Sequence, residues 1–230
     1  QEDPILSVQV LRLANSTFFG MRNRVGTLKQ AVVALGIRAL RHAMMSTMVL
    51  DHFKGAGVSK IQKLWEHSSR SSLWARALAR VQIGRMAEEA MVAGLIHEIG
   101  RPVVLQYFGS ESAQIDHRVH EGESESLAER NVLGATHAEI GAHLGTIWNL
   151  PVDLTQAIFH HHASMDHLRA IPHASPLAGI VNAACHLAEA PSLNDLEDEF
   201  LDYHRLNLDM LRSLAPQIAE SAKSITETLA

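Results

Sequence analysis

The sequence contains almost no cysteine, which limits both its covalent architecture and its compartment. Cys185 is the one cysteine among 230 residues, so no disulfide can form within the chain. A chain without disulfides suits a reducing compartment, and we expect it in the cytoplasm. Taken alone, Cys185 is interpreted as a small buried hydrophobic residue.

Long apolar runs are also missing. No segment approaches the stretch of about 18 uninterrupted apolar residues that marks a membrane span. The opening residues Gln1 to Pro4 have neither the charged segment nor the apolar run of a signal peptide. They do not include an initiator methionine, so we expect the chain to be a fragment or a trimmed form. We therefore predict a protein without membrane partners.

The chain has no excess of basic residues. It carries 20 Lys and Arg against 25 Asp and Glu, a formal net charge of −5. Sequence-independent binding to nucleic acid depends on basic contacts to phosphates, so this balance argues against it. Hydrophobic residues are 47% of the chain, which provides ample material for a core.

Strand signals are absent, because no β-branched segment alternates between hairpin turns. Apolar residues instead recur at helical spacing, and we predict an all-α fold. Gly55-Ala56-Gly57 divides it into an N-terminal helical subdomain, 1–57, and a larger helical domain, 58–230. Beyond this boundary the predicted helices are Ser59–Ile83, Glu88–Ile99, Val103–Phe108, Ser124–Leu133, Thr136–Trp148, Val152–His162, Pro176–Glu189 and two helices after Asn194.

Histidine is the abundant residue, with 15 in the chain although aromatics reach only 5%. The histidines concentrate at His67, at the pair His97-Glu98, at His137 and at His160–His162. Imidazole and carboxylate groups are ligands for divalent metals, and facing helices of a bundle can assemble such a site. For any single histidine, a hydrogen-bonded structural role is the simpler interpretation. Both interpretations stay open on the residues alone.

Familiar catalytic motifs are not found. The HExxH pattern fails because Arg101 stands four residues after His97. Neither a GxSxG motif nor a phosphate-binding P-loop is present. The histidine pattern must therefore be compared with larger families.

The segments taken together resemble the HDOD domain, a bacterial signalling domain related to the HD and HD-GYP metal-dependent phosphohydrolases. The resemblance implies an HD-like helical bundle with an N-terminal helical subdomain. Because this family usually has further helices before its Asp-Pro motif, it also implies that the native protein extends upstream. The resemblance is carried by Asp3–Leu6, Val10–Ser16, Gln30-Ala31 with Leu35-Gly36, Leu64–Ser68, Ala93–Gly100, His137–Gly141, Trp148–Pro151, and Ala157-Ile158 followed by His161-His162.

In catalytic HD proteins the site comprises a histidine, a His-Asp pair, further histidines and a late aspartate. This chain departs from that pattern at two positions. Glu98 stands at the place of the paired Asp, and its extra methylene moves the carboxylate by about 1.5 Å. The late aspartate falls at or near Cys185, and the GYP motif is missing after the second histidine of the pair. Carried over residue by residue, the pocket is His67, His97, Glu98, His137, His161, His162 and Cys185.

These departures imply a non-catalytic HDOD signalling or scaffold domain that binds protein partners in a bacterial signal-transduction pathway. We expect no catalytic residue, no metal and no other cofactor in this vestigial pocket. Two alternatives remain. One is a metal-dependent phosphohydrolase using Mn, Fe, Zn or Mg, and the other is a nucleotide-sensing domain without turnover. If a metal is held, its expected ligands are His67, His97, Glu98, His137 and His161.

Overall fold

The computed structural model describes residues 58–84, 86–171, 175–190 and 192–229. The subdomain predicted for 1–57 and the hinge at Gly55–Gly57 lie outside these residues. Within the described part every regular element is a helix and no strand occurs, which confirms the all-α prediction. None of its helices combines the length and hydrophobicity needed to cross a bilayer.

The described helices follow one another through short connections. They are α1 (Val58–Gln82), α2 (Ala87–Ile96), α3 (Gly100–Tyr107), α4 (Gly109–His120), α5 (Glu125–Leu133), α6 (His137–Ile147), α7 (Val152–His160), α8 (Met165–Ala170), α9 (Pro176–Glu189), α10 (Asp198–Tyr203) and α11 (Leu208–Leu229), with a 3₁₀ turn at Leu193–Asp195.

The helices α4 and α8 have no counterpart among the predicted helices, whereas the others agree with predicted ones within a few residues. The sequence of α4 is mostly polar, and only Ser112 and Ile115 are buried. Six-residue α8 buries only Leu168. Because helical periodicity is read from apolar residues, helices that bury so little leave a weak signal.

The core is built around α2, which is apolar on nearly all sides as the sequence predicts. It packs against α1, and α9 packs against α1, α2 and α7. Gly94 allows α1 and α2 to approach closely, since a Cβ there would lie 2.8 Å from the Cα of Ser72. Fully buried members of this core include Leu78, Met91, Ile158, Leu177, Val181 and Leu211.

A second close approach joins the first turns of α3 and α6. An ideal Cβ on Gly100 would lie 1.9 Å from the carbonyl oxygen of His137 and 2.8 Å from the amide nitrogen of Gly141. Only glycine at position 100 permits this backbone contact. The contact brings the segment between α2 and α3, which carries Glu98, beside the start of α6.

His204, which follows α10, lies apart from these helix ends and gives a prediction about acid stability. The ring is 8% exposed, and its Nε2 has no hydrogen-bond partner in the described part of the chain. Burial, assisted by the nearby His186, lowers the pKa of His204 to about 4. The unfolded chain, with a histidine pKa of about 6.5, therefore binds the proton more tightly than the folded protein.

Above about pH 6.5 the ring is neutral in both the folded and the unfolded chain, and its titration does not affect the free energy of unfolding. As the pH falls from 6.5 towards 4, the unfolded chain takes up the proton first, so the free energy of unfolding decreases. The expected slope is about 1.4 kcal/mol per pH unit within that window. His204→Phe keeps the ring packing on Phe200 and Tyr203 but removes the titrating group. Urea unfolding of chelated protein between pH 7 and pH 5 should show a shallower decline for this variant. Equal slopes in the two proteins would contradict the prediction.

Candidate metal centre

The structure brings the seven predicted pocket residues together. His67 comes from α1, and His97 and Glu98 directly follow α2. His160, which belongs to the same histidine tract, faces elsewhere and contacts the rings of Phe159 and His167. The remaining pocket residues are His137 at the start of α6, His161 and His162 at the end of α7, and Cys185 on α9.

Glu98 lies at the centre of the pocket. Its side chain is 3% exposed. One oxygen, Oε2, lies 3.2 Å from Nε2 of His137 and 3.9 Å from Nε2 of His161. The other, Oε1, lies 3.7 to 3.9 Å from the Nε2 atoms of His67, His97 and His162. The two oxygens therefore face two different groups of imidazoles.

The hydrogen bonds on the far side of three rings define their tautomers. Nδ1 of His97 donates to the carbonyl of Gly94 at 2.8 Å, and Nδ1 of His161 donates to that of Ile158 at 2.6 Å. Nδ1 of His137 lies 2.7 Å from a carboxylate oxygen of Glu129. Since these oxygens only accept, the hydrogen is assigned to each Nδ1. In the neutral ring, Nε2 then presents a lone pair to the pocket.

The charge states agree with these tautomers. Burial lowers the pKa of His97 to about 3 and that of His162 to about 4. Burial also holds the pKa of His161 well below its usual value. Burial opposes the charge on Glu98 as well, but Arg101 and the surrounding histidines outweigh it, so the pKa of this carboxyl is well below its usual range. Near neutral pH the ionised carboxylate of Glu98 faces the neutral rings of His97, His161 and His162.

We call Glu98, His137, His161 and His162 the four-ligand cluster. Nε2 of His137 lies 3.2 Å from Nε2 of His161 and 3.2 Å from Oε2 of Glu98. In rings that carry their single hydrogen on Nδ1, these three atoms are all acceptors, and their lone pairs repel one another. The buried Nε2 of His162 has no hydrogen-bond partner in the described part of the chain.

A divalent cation would convert this repulsion into coordination. Ligand nitrogens held at about 2.0–2.1 Å around a tetrahedral zinc ion lie about 3.3–3.4 Å apart, close to the two 3.2 Å separations at Nε2 of His137. Imidazole and carboxylate donors suit such an ion. The residues present therefore fit a divalent metal, which would act as a Lewis acid and bind the open ends of the rings together.

Glu129 on α5 supports the four-ligand cluster from behind, and sequence reasoning misses it. It is 2% exposed and accepts from the backbone amide of His137 at 2.9 Å as well as from Nδ1. A carboxylate behind a ligand histidine fixes the ring and raises its basicity. The contact depends on the turn at Gly134, with a φ of 77°, which folds α5 back on α6. Nothing in the sequence pattern around Glu129 indicates this contact with His137.

Arg101 on α3 is the second unpredicted partner. Its Nε donates to Oε2 of Glu98 at 2.6 Å. Its two terminal nitrogens donate to the two carboxylate oxygens of Glu125, with the Nη2 bond at 2.6 Å. The guanidinium thus neutralises part of the negative charge in the pocket and occupies space beside Glu98.

Asn182 on α9 holds the double-histidine segment in place. Its side-chain amide donates to the carbonyls of His161 at 2.9 Å and Ala163 at 3.0 Å. These carbonyls belong to the segment that directly follows α7, where no further helical turn offers them a partner. The contact fixes the direction of His161 and His162, and it too is absent from the sequence prediction.

The remaining three residues, His67, His97 and Cys185, form what we call the thiol cluster. Nε2 of His67 lies 3.1 Å from Nε2 of His97 and 3.6 Å from Sγ of Cys185. Cys185 is 1% exposed. Burial, with help from the charge of Glu189, raises the pKa of its thiol well above the usual value. Burial also lowers the pKa of His67.

A cavity of about 380 Å³ opens beside His67 and Glu98. Its charged lining also includes Lys63 and the pair Lys60–Asp116, which are in direct contact. Carboxylates outnumber cations in this wall, so the electrostatic field is unfavourable for an anion unless metal ions compensate it. The charged residues of the lining are Glu98, Asp116, Glu125, Glu129, Glu189, Lys60, Lys63 and Arg101.

The fold and the pocket define a helical-bundle protein with an internal cluster of histidines around one carboxylate. The family model that matches this chain is that of the HDOD domain, over residues 1–164. The chain belongs to the HDOD family, which confirms the resemblance drawn from the motifs.

Comparison with individual proteins agrees with this assignment. An uncharacterized protein of Treponema pallidum is 29% identical over 171 residues, which are 70% of this chain and 32% of that protein. The chain thus spans about a third of the length of this relative. An HDOD domain protein of unknown function from Geobacter sulfurreducens has the same fold, with a TM-score of 0.79 and 23% identity over 98% of this chain and 83% of its own.

Two further solved structures share the fold. A proposed phosphohydrolase from Shewanella amazonensis is 27% identical, with a TM-score of 0.76 over 99% of this chain and 84% of its own. A proposed signal transduction protein from Marinobacter aquaeolei is 22% identical, with a TM-score of 0.68 over 98% of this chain and 52% of its own. These similarities show that the chain shares its fold with both proteins.

Proposed function

We propose that this protein is a non-catalytic HDOD signalling domain whose four-ligand cluster binds one divalent metal ion and whose output is contact with a protein partner. The sequence favours a pocket without metal but leaves a metal-binding pocket open. The acceptor atoms that face one another in the structure lead us to propose the metal-binding pocket. One observation carries the metal proposal. Nε2 of His137 lies 3.2 Å from both Nε2 of His161 and Oε2 of Glu98, and in the Nδ1–H tautomers of the two rings no hydrogen lies between these atoms.

The proposed metal would connect parts of the chain that are far apart in sequence. Glu98 follows α2, His137 begins α6, and His161 and His162 end α7. An ion bound to all of them would favour the arrangement in which these helix ends meet, since a ligand stabilises the state that binds it. Metal binding could thereby control the surface offered to a partner.

Two features argue against turnover. Arg101 holds Oε2 of Glu98, so this carboxylate is not free to bridge two metals as the paired aspartate of catalytic relatives does. The adjoining cavity is rich in carboxylates, which disfavours the approach of an anionic phosphodiester. The name of the Shewanella protein alone does not outweigh these features.

Metal content tests the first part of the proposal. Untagged protein, supplied with manganese, iron and zinc and then dialysed, should retain stoichiometric metal by elemental mass spectrometry. His137→Ala should lose it, because the variant removes a ligand from the four-ligand cluster. His143→Ala is the matched control on the same helix, since His143 is exposed. If the wild-type protein holds no metal, the proposal is wrong, and the pocket is better interpreted as the vestigial, metal-free site that the sequence predicts.

Activity and partner capture test the second part. We expect no hydrolysis of a chromogenic phosphodiester or of cyclic dinucleotides by metal-loaded protein. If the metal-loaded protein hydrolyses a substrate and His137→Ala does not, the protein is a metal-dependent phosphohydrolase instead. If a cyclic dinucleotide raises the melting temperature but is not hydrolysed, the result favours a nucleotide-sensing domain. Quantitative pull-downs with loaded and chelated protein should enrich the same partner to different extents.

A further inference from the structure

The cavity beside His67 and Glu98 also has an apolar wall, which the metal proposal does not use. This wall is formed by Leu64 of α1, Val104 of α3 and Ile115 of α4. Val104 and Ile115 are each 5% exposed. The cavity volume of about 380 Å³ lies at the lower end of the range for small-ligand sites. The cavity can therefore enclose a short aliphatic chain.

Ser112 on α4 brings an unused hydroxyl to the same cavity. The residue is 8% exposed and lines the cavity. Its backbone amide donates to the carbonyl of Phe108, but its hydroxyl makes no hydrogen bond to any residue that the structure describes. A polar side chain buried to this extent normally has a partner. A ligand that carries hydrogen-bond donors would provide one, since a hydroxyl oxygen accepts hydrogen bonds.

Two groups of ion pairs already occupy part of the charged wall. Lys60 pairs with Asp116, and Arg101 pairs with both Glu98 and Glu125. The guanidinium of Arg101 donates to both oxygens of Glu125. The structure thus shows that carboxylates of this cavity hold a guanidinium through paired hydrogen bonds.

The remaining charges of the wall favour a further cation. Glu129 is bonded to His137, and the one ion-pair contact of Glu189 among the described residues is with Nδ1 of His67 at 4.0 Å. Lys63 is exposed and pairs with no carboxylate in the described part of the chain. The lining has five carboxylates against three Lys and Arg side chains. A concave site with such an excess concentrates cations and repels anions.

We infer that this cavity binds a small organic cation, an alkylguanidinium or alkylammonium group. Its aliphatic stem packs on Leu64, Val104 and Ile115, and its charged head lies among the carboxylates that include Glu189. Free amines and the Lys or Arg side chains of a partner protein share this chemistry. The site lies beside the four-ligand cluster and does not require a bound metal ion.

Butylguanidinium is the probe, because butylurea and pentanoate have nearly the same shape but carry no charge and a negative charge. Each compound is titrated into chelated full-length protein and followed by ligand-observed NMR, which detects the expected Kd of about 1 mM. Chelation removes any metal whose charge would offset the carboxylates, so the outcome does not depend on the four-ligand cluster.

We expect butylguanidinium to bind about tenfold more tightly than butylurea or pentanoate. Equal binding of butylurea would show that the cavity does not recognise charge, and tighter binding of pentanoate would show the opposite sign. Either result would overturn the inference.

Two variants with opposite expected effects locate the bound cation. Glu189→Gln removes a carboxylate and should weaken binding of butylguanidinium about threefold to tenfold, whereas Lys63→Met removes a like charge and should strengthen it by a similar factor. Glu220→Gln, on the exposed side of α11, is the matched control and should leave the Kd unchanged. Unchanged affinity in both cavity variants would place the cation elsewhere and overturn the inference.

A blocked tripeptide with a central arginine separates the two sources of the cation. Tighter binding than butylguanidinium indicates the side chain of a partner protein, because the peptide backbone then adds contacts. Weaker binding indicates a free amine, because the cavity then excludes the backbone. Both results support the site, provided that Glu189→Gln weakens the binding.

Discussion

Gly100→Ala should unfold much of this protein. The new Cβ would lie 1.9 Å from the carbonyl oxygen of His137, and neither atom can rotate away because both are fixed to the backbone. Relief requires α3 and α6 to separate, which also withdraws Glu98 from the histidines. We expect a loss of at least about 4 kcal/mol, a large part of the 5–15 kcal/mol that stabilises an ordinary domain.

Gly179→Ala is the matched control for this substitution. Gly179 lies inside α9, and apart from the backbone of its own helix turn no atom stands within 4 Å of the position its Cβ would take. Alanine is the better helix former, so this variant should gain about 0.5–1 kcal/mol. Chemical denaturation followed by circular dichroism measures both effects. A Gly100→Ala protein as stable as the wild type would show that the two helices do not touch as described.

Arg101→Met should cause the second large effect, in the chelated protein. Methionine replaces much of the volume of the arginine stem but leaves Glu98 buried without its 2.6 Å partner. Removing one member of a buried ion pair costs about 3–5 kcal/mol, because the remaining charge is uncompensated. The same change also frees Glu125 from its paired hydrogen bonds.

Arg130→Met makes the same exchange at a surface pair. Arg130 is half exposed and contacts Glu139 at 2.9 Å. Exposed pairs contribute about 0–1 kcal/mol, so this variant should remain close to wild type. Comparing the two midpoints of urea unfolding isolates the effect of burial. Equal destabilisation of both variants would show that Glu98 is not held by a buried charge.

The pocket residues could be named from the sequence because they belong to motifs that resemble those of the HDOD family. His67, His97, His137, His161 and His162 are named by resemblance, and the structure places them around Glu98. The alignment of the late aspartate with Cys185 also places this residue beside His67. The strongly apolar helices α2 and α9 are predicted within a few residues.

The supporting residues could not be predicted in the same way. Glu129, Arg101 and Asn182 are ordinary helix residues whose roles depend on tertiary contacts to His137, Glu98 and His161. Their polarity alone suggests a solvated surface. The tautomers are equally invisible in a sequence, because each depends on the acceptor that the fold places behind the ring. The chemistry of the pocket is therefore decided by residues without a motif.

The contact between His67 and Cys185 has a consequence for the lifetime of the folded state. The two residues are 118 positions apart, and they meet only after α9 has packed on α1. Contacts that close so long a loop are slow to form compared with local helical turns. If the completed pocket binds the proposed ion, the ion would stabilise the native state more than the folding transition state. It would then slow unfolding and leave the rate of folding nearly unchanged.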